Sequence, residues 1–298
     1  MPEVRDFQLD IGDGLELAGT YFPPSSADEA RAVLVCLPGG TYTRGYFDLD
    51  VPGYSYARDA AARGFPVVSF DQLGTGASSR PDREIDLADQ GTAVDAALER
   101  LPEILGRGGP FLAVGHSMGG YVAMVQQAAH RSYAGLAILG TTNAAVGPLN
   151  LPDDMVAAAR SPEGRASLID QIAGAMPDRY IQGDRADLSP WFHLTDVPAD
   201  VVERDLATTL TVVPRRAAAG SSVPYVTADA AAEVDVPVFL AYGDVDVSID
   251  PRTEPAAFSR SRDLTLYVLP ASGHCHNMAS SRALLWARLA LWCESVVS

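Results

Sequence analysis

The chain contains no lysine, and it has only three cysteines and five histidines in 298 residues. Without lysine, neither a lysine Schiff base nor a lysine general base is available for catalysis. The cysteines Cys36, Cys275 and Cys293 are too few and too scattered for a disulfide framework, so we expect a reducing, cytoplasmic compartment. Basic residues number 22 against 38 acidic ones, a formal net charge of −16, which argues against nucleic acids and anionic membranes as partners.

Long uninterrupted hydrophobic runs are also absent. No stretch is long enough to span a bilayer, and the N-terminal segment carries acidic residues where a signal peptide has a basic patch. The apolar segment 281–297 has helical spacing and is interrupted by Arg282 and Arg288. It therefore predicts an amphipathic helix packed on the core rather than a membrane span.

What the sequence does contain is a regular alternation of strand and helix patterns. Alternating residues 4–11 and 15–22 flank a Gly-Asp-Gly turn and predict a hairpin. Continuous apolar runs follow, for example 31–37 and 110–115, and most of them lead into segments with helical periodicity. Such runs are typical of strands buried on both faces. The alternation favours an α/β fold with a mostly parallel sheet covered by helices on both faces.

Residues from about 145 to 232 interrupt this alternation. They are polar, mostly helical in pattern and contain several prolines, and the strand–helix alternation resumes after them. We therefore predict a core formed by residues 1–144 and 233–298, with residues 145–232 inserted as a helical cap.

The hexapeptide Gly-His-Ser-Met-Gly-Gly at 115–120 contains a Gly-x-Ser-x-Gly pattern between a predicted buried strand and a predicted helix. In a sharp strand-to-helix turn, glycines flank the serine because larger side chains would clash. This turn exposes the Ser117 hydroxyl and places the Met118 N–H at a helix N-terminus, where it can stabilise an anion. We predict Ser117 as a nucleophile and Met118 as an oxyanion donor.

A serine nucleophile needs a base, and the segment 271–277, Ala-Ser-Gly-His-Cys-His-Asn, offers His274 and His276. This segment follows a predicted strand, so it emerges at the same sheet edge as Ser117, where ligand sites of parallel sheets lie. A His-x-His pair also occurs in metal sites, but the other three histidines show no ligand spacing. We expect no metal and no cofactor.

Together these segments resemble the α/β-hydrolase family over residues 10 to 295. The matching pieces are LPGG after the third strand, FDQLGTGASS after the fourth, GHSMGG after the fifth, YGDVD after the seventh and SGH after the eighth. The resemblance implies an eight-stranded α/β-hydrolase fold and a triad of Ser117, Asp246 and His274 in the family's order.

Some positions in this resemblance have rivals. Asp244 and Asp250 compete with Asp246, and His276 competes with His274; we favour Asp246 and His274. The resemblance makes Gly40 the second oxyanion donor, with Thr41 as the fallback. Pro38 stands where many family members carry histidine, which leaves the shape of this loop open.

Further side chains are candidates for an apolar substrate pocket. They are the two aromatic residues after the oxyanion loop, two in the insertion and the second loop histidine, namely Tyr42, Tyr46, Trp191, Phe192 and His276. Packing in the core is the alternative for each aromatic residue.

The leading hypothesis is a cytoplasmic serine hydrolase, monomeric or homodimeric, that cleaves a carboxylic ester or lactone of a small acyl substrate. The same residues serve thioesterases, acyltransferases of small-molecule biosynthesis and C–C bond hydrolases, which remain alternatives. A non-catalytic ligand-binding homologue is an alternative of another class.

Overall fold

The computed structural model describes residues 3–25, 32–183, 185 and 189–298. Of residues 189 and 190 it describes the backbone alone. The strands are β1 Arg5–Gly12, β2 Leu15–Phe22, β3 Val33–Leu37, β4 Val67–Phe70, β5 Phe111–His116, β6 Gly135–Leu139, β7 Tyr180–Ile181, β8 Val213–Pro214, β9 Val238–Gly243 and β10 Leu264–Leu269. The α-helices are α1 Tyr56–Ala62, α2 Leu87–Leu105, α3 Met118–His130, α4 Asp153–Ala158, α5 Pro162–Gly174, α6 Ser189–Phe192, α7 Ala199–Thr208, α8 Arg215–Ser222, α9 Ala228–Glu233 and α10 Arg282–Val296.

The main sheet has eight strands in the order β1-β2-β4-β3-β5-β6-β9-β10. β1 and β2 form the antiparallel hairpin that the alternating pattern predicted, and β2 pairs antiparallel with β4. All remaining pairs are parallel. The predicted α/β fold with a mostly parallel eight-stranded sheet is thus confirmed.

The core consists of two apolar layers, one on each face of the sheet. β3 shows the division, because Val33, Val35 and Leu37 join one layer while Leu34 and Cys36 join the other. The first layer contains buried side chains of α2 and α3, and the second contains those of α1 and α10. Both faces of the central strands are therefore dry, which explains their uninterrupted apolar sequences.

The segment between β6 and β9 holds α4–α9 and a two-stranded antiparallel sheet of β7 and β8, and its described residues add no strand to the main sheet. We call residues 145–232 the insert. Val213 and Ala217 of the insert join the core layer on the α3 side, and α9 packs on α3. Its status as a separate cap domain stays a prediction.

The parallel arrangement places the carboxyl ends of β3, β5, β9 and β10 along one edge of the sheet. Loops after these ends carry the predicted site residues. Within the described residues, none of the helices combines the length and apolar character that a membrane crossing requires.

Candidate active site

Ser117 lies at the sharp turn between β5 and α3. Its φ of 51° and ψ of −119° are unusual for a residue with a side chain, and such conformations cost about 1–3 kcal/mol. The turn is held because Ser117 N–H donates to the Leu139 carbonyl at 2.8 Å, while the Ser117 carbonyl accepts from the Thr141 hydroxyl at 2.8 Å. The strain leaves the Ser117 side chain partly exposed at the sheet edge.

The glycines around Ser117 are required by close backbone approaches. A Cβ at Gly119 would lie 2.0 Å from the Leu37 carbonyl oxygen, and one at Gly115 would lie 2.5 Å from the Gly119 carbonyl oxygen. Both distances are far below van der Waals contact, so a side chain at either position would push α3 away from the sheet.

Gly40 and Met118, whose backbone N–H groups are the predicted oxyanion donors, line the same cavity as Ser117. Neither group, nor the Thr41 N–H, has a hydrogen-bond acceptor in the described part of the chain. The Pro38 carbonyl accepts from the Gln72 amide at 2.6 Å, which fixes this loop. Unpaired N–H groups at a cavity wall can stabilise a developing oxyanion.

Asp246 and His274 form a close hydrogen-bonded pair. His274 Nδ1 lies 2.6 Å from Asp246 Oδ1, and both side chains are at most 3% exposed. The N–H groups of Gly243 and Val247 also donate to the Asp246 carboxylate, at 2.9 Å and 2.6 Å. This arrangement fixes the orientation of the His274 ring.

The two alternative aspartates, Asp244 and Asp250, accept hydrogen bonds from backbone N–H groups of turns and do not contact the His274 ring. The Asp244 carboxylate accepts from the N–H groups of Ala271 and Ser272, both at 3.0 Å. The Asp250 carboxylate accepts from the Arg252 N–H at 3.1 Å and caps the following short 3₁₀ helix. Of the three, Asp246 alone contacts the His274 ring.

His276 lies on the other side of the same carboxylate, with Nε2 2.7 Å from Asp246 Oδ2. The largest influence on the Asp246 pKa is burial, which raises it, but His274 and His276 together outweigh burial and hold that pKa well below its usual range. His276 is fully buried and does not line the cavity. The predicted pocket role of His276 therefore does not match its position, because its ring is occupied by the carboxylate.

Ser117 and His274 line one cavity of about 210 Å³, although Ser117 Oγ makes no hydrogen bond to the His274 ring. The cavity walls are mostly apolar and come from the sheet edge and the insert. The lining residues are Gly40, Thr41, Ser117, Met118, Tyr121, Gly140, Val146, Leu149, Ile181, Trp191, Phe192, Val213, Ala218, Ser221, Ser222, Val247 and His274.

The predicted pocket aromatics divide into two groups. Trp191 and Phe192 contribute to the cavity wall, and their role in substrate binding stays a prediction. Tyr42 and Tyr46 lie behind the wall, since Tyr42 donates its hydroxyl to Asp205 and Tyr46 stacks on the His116 ring at 4.3 Å. Their side chains thus pack and hydrogen-bond in the core rather than line this cavity.

The insert is joined directly to the loop that carries His274. The N–H of His274 donates to the Trp191 carbonyl at 2.8 Å, and the N–H of Cys275 donates to the Phe192 carbonyl at 2.9 Å. Sequence reasoning placed these aromatic residues in the insert but gave no sign of this backbone pairing, which depends on tertiary structure.

Arg185 and Asp205 were missed by sequence reasoning although they form a buried ion pair beside the site. Asp205 had a sequence signal, because it lies four residues after Val201 on the buried face of the amphipathic helix α7. An acid on an apolar helix face indicates a buried polar partner. Arg185 carried no comparable signal.

A second groove, of about 680 Å³, is larger but contains neither Ser117 nor His274. Its two arginines pair with aspartates of the same groove, Arg44 with Asp71 and Arg58 with Asp48. In the described ranges no three His, Cys, Asp or Glu side chains converge as a metal site.

Comparison with known families identifies the family of the chain. A model described as the alpha/beta hydrolase family matches residues 34–287, which is most of the chain. The chain belongs to the alpha/beta hydrolase family. A search of curated protein sequences gave no match to this alpha/beta hydrolase.

Solved structures share the fold over nearly the whole length. A thermophilic esterase from Thermogutta terrifontis with malate bound has a TM-score of 0.65 at 19% identity, covering 99% of this chain and 100% of the esterase. A thermostable carboxyl esterase from Bacillus coagulans in complex with glycerol has a TM-score of 0.68 at 14% identity, covering 100% of both chains. An E-2-(acetamidomethylene)succinate hydrolase has a TM-score of 0.65 at 17% identity, covering 98% and 100%. At these identities the likeness shows a common fold and says nothing about the substrate.

Proposed function

We propose that this alpha/beta hydrolase is a serine hydrolase that cleaves a carboxylic ester or lactone of an uncharged small molecule. The observation that carries the proposal is that His274, hydrogen-bonded to the buried Asp246, lies on the wall of the cavity that Ser117 also lines. A nucleophile and a base on one cavity, with an acid behind the base that orients it, are the parts that acyl transfer requires.

The chemistry proceeds through an acyl-enzyme. His274 Nε2 takes the proton of Ser117 as the serine oxygen attacks the carbonyl carbon, and the Gly40 and Met118 N–H groups donate to the oxyanion. The tetrahedral intermediate collapses as His274 protonates the leaving alcohol. His274 then deprotonates a water that attacks the acyl carbon, and as the bond to Ser117 Oγ breaks, His274 returns the proton to that oxygen and the acid is released.

Asp246 keeps the catalytic imidazole in one orientation throughout this cycle. Its carboxylate accepts from Nδ1–H, which leaves the Nε2 lone pair free to take the serine proton, and it stabilises the imidazolium that forms. Catalytic hydrogen bonds are often long without substrate and shorten in the Michaelis complex. The missing Ser117–His274 hydrogen bond is compatible with that behaviour.

The character of the cavity supports an uncharged substrate. Its described lining contains no carboxylate and no guanidinium, and His274 and the Tyr121 phenol are its only ionisable side chains. A charged acyl or alcohol group would lose its hydration there without gaining an ionic partner. We also propose that the insert acts as the cap, because its residues Ile181, Trp191 and Phe192 form part of the wall.

The proposal is tested by intact-mass spectrometry after exposure to a fluorophosphonate. We expect one adduct on the wild type, none on Ser117→Ala, and labelling slower by at least about 10³-fold on His274→Ala. His276→Gln serves as the matched control from the same loop, and we expect its labelling within about tenfold of wild type because His274 and Asp246 remain.

Turnover of matched phenyl esters, phenyl thioesters and lactones then defines the bond that is cleaved. Oxygen-ester or lactone hydrolysis abolished in Ser117→Ala supports the proposal. Thioester cleavage without oxygen-ester cleavage would favour a thioesterase, and an unlabelled wild type would contradict an activated serine altogether.

A further inference from the structure

Arg185 of the insert places a buried positive charge behind the loop that carries Gly40. Arg185 Nη2 donates to the Thr41 carbonyl, and Nε lies 3.2 Å from the Thr41 hydroxyl oxygen. The guanidinium carbon lies 3.4 Å from the centre of the Tyr42 ring. The Arg185 side chain is only 3% exposed, so its contacts replace water almost completely.

Asp205 of α7 compensates the charge of Arg185. Its Oδ2 lies 3.4 Å from Arg185 Nη1 and accepts the Tyr42 hydroxyl at 2.9 Å, while Oδ1 accepts the Thr209 hydroxyl at 2.7 Å. The Asp205 side chain is fully buried. A buried carboxylate and guanidinium in this setting are costly unless each is hydrogen-bonded, and here both are.

The residue that Arg185 contacts is in a strained conformation. Thr41 has a φ of 65°, which is exceptional for a β-branched side chain. The Thr41 carbonyl also accepts from the Thr211 N–H of the insert at 2.9 Å. Strained residues persist where their surroundings hold them, and Thr41 is held by donors from the insert.

We infer that Arg185 is a positioning residue, which together with Asp205 holds Thr41 in its left-handed conformation and thereby keeps the Gly40 N–H directed into the cavity. This inference rests on the proposed function, since it takes Gly40 as an oxyanion donor. It makes the insert part of the catalytic machinery and not only a wall of the pocket. A residue that only attached the insert to the core would affect stability but not the conformation of the oxyanion loop.

The test is a double-mutant cycle on an ester that the wild type hydrolyses. Arg185→Lys keeps a cation beside Asp205 but loses the planar fork that reaches both Thr41 oxygens. We expect kcat to fall by about 10–100-fold with KM within about threefold, because removal of a single oxyanion donor costs about 10²–10³-fold in kcat. Arg215→Lys is the matched control, since Arg215 also joins the insert to the core, through the Glu84 carboxylate.

Glycine adopts a φ of 65° without strain, so Thr41→Gly should make Arg185 dispensable. We expect Arg185→Lys to reduce kcat by less than about fivefold in the Thr41→Gly background. Equal losses in both backgrounds, or an equal loss in Arg215→Lys, would overturn the inference. If Arg185→Lys does not fold, the isosteric Asp205→Asn replaces it with the same expectations.

These outcomes are separable from failure of the proposed function. A wild type that hydrolyses esters, with an Arg185→Lys variant of unchanged kcat, would overturn the positioning role and leave the hydrolase intact. A wild type that neither reacts with fluorophosphonate nor hydrolyses any ester would overturn both.

Discussion

At the scale of single residues, the sequence located the nucleophile turn more sharply than its partners. Ser117 is marked by flanking glycines, because a Cβ atom at Gly115 or Gly119 would lie only 2.0–2.5 Å from a backbone carbonyl oxygen. Asp244, Asp246 and Asp250 lie within one loop, and Asp246 was favoured only by the family resemblance, since the residue pattern by itself does not show which carboxylate binds a histidine. The choice depends on which backbone N–H groups the loop presents, and that is decided only in three dimensions.

His116, beside the nucleophile, is held neutral by its surroundings. Burial first, and then the charges of His274 and His276, lower its pKa well below the usual value for histidine. Its Nε2–H donates to the His274 carbonyl at 2.8 Å, while its buried Nδ1 has no hydrogen-bond partner among the described residues. A proton on Nδ1 would therefore be buried without an acceptor, so the neutral ring is the form that fits.

This neutral histidine predicts a pH dependence of stability. Below about pH 6.5 the unfolded chain protonates His116 while the folded protein does not, so the free energy of unfolding falls as pH falls. His116 should contribute up to about 1.4 kcal/mol per pH unit to this decrease between about pH 6.5 and 5. Urea unfolding at several pH values should therefore show a shallower dependence for His116→Gln than for the wild type. Parallel curves below pH 6.5 would contradict a neutral buried His116, and the range above pH 7.5, where the slopes should agree, is the internal control.

At the scale of elements, periodicity predicted the strands and helices of the core but not the arrangement of the insert. A buried strand such as β3 is recognised because both of its faces are apolar. The helices of the insert are short and polar, and their positions depend on the Arg185–Asp205 pair and on backbone bonds from the Trp191 and Phe192 carbonyls. Such contacts join distant parts of the chain and leave little periodic signal.

The packing of α3 against β3 gives a prediction at this scale. Gly119→Ala should lower the free energy of unfolding by about 2–4 kcal/mol, because the new methyl group overlaps the Leu37 carbonyl and the backbone must move. Gly174→Ala in α5 is the matched control. It has no heavy atom within 4 Å of the added Cβ, and alanine should stabilise the helix by about 0.5–1 kcal/mol. Urea midpoints measure both, and a Gly119→Ala midpoint at or above that of wild type would show that α3 is not in close contact with β3.

At the scale of the whole molecule, the acidic composition and the uncharged cavity both oppose the binding of anions. A net charge of −16 without any lysine produces a negative potential around the protein. The described cavity lining adds no positive side chain except a protonated His274. We therefore expect anionic substrates to be disfavoured both on approach and in the site.

The last prediction compares phenyl butyrate with phenyl hemisuccinate, which have acyl chains of equal length and differ in one carboxylate. The kcat/KM for the neutral ester should exceed that for the anionic ester by at least about tenfold at low salt, because the carboxylate is repelled by the protein and loses hydration in the cavity. Raising the ionic strength from about 0.02 to 0.5 M should increase the kcat/KM of the anionic ester several-fold through screening and leave that of the neutral ester nearly constant.

Initial rates corrected for spontaneous hydrolysis measure both kcat/KM values, with Ser117→Ala as the blank. An anionic ester that equals or exceeds the neutral one at low salt would mean that a cation reaches the bound substrate, and the uncharged-substrate proposal would then be wrong even if Ser117 is the nucleophile.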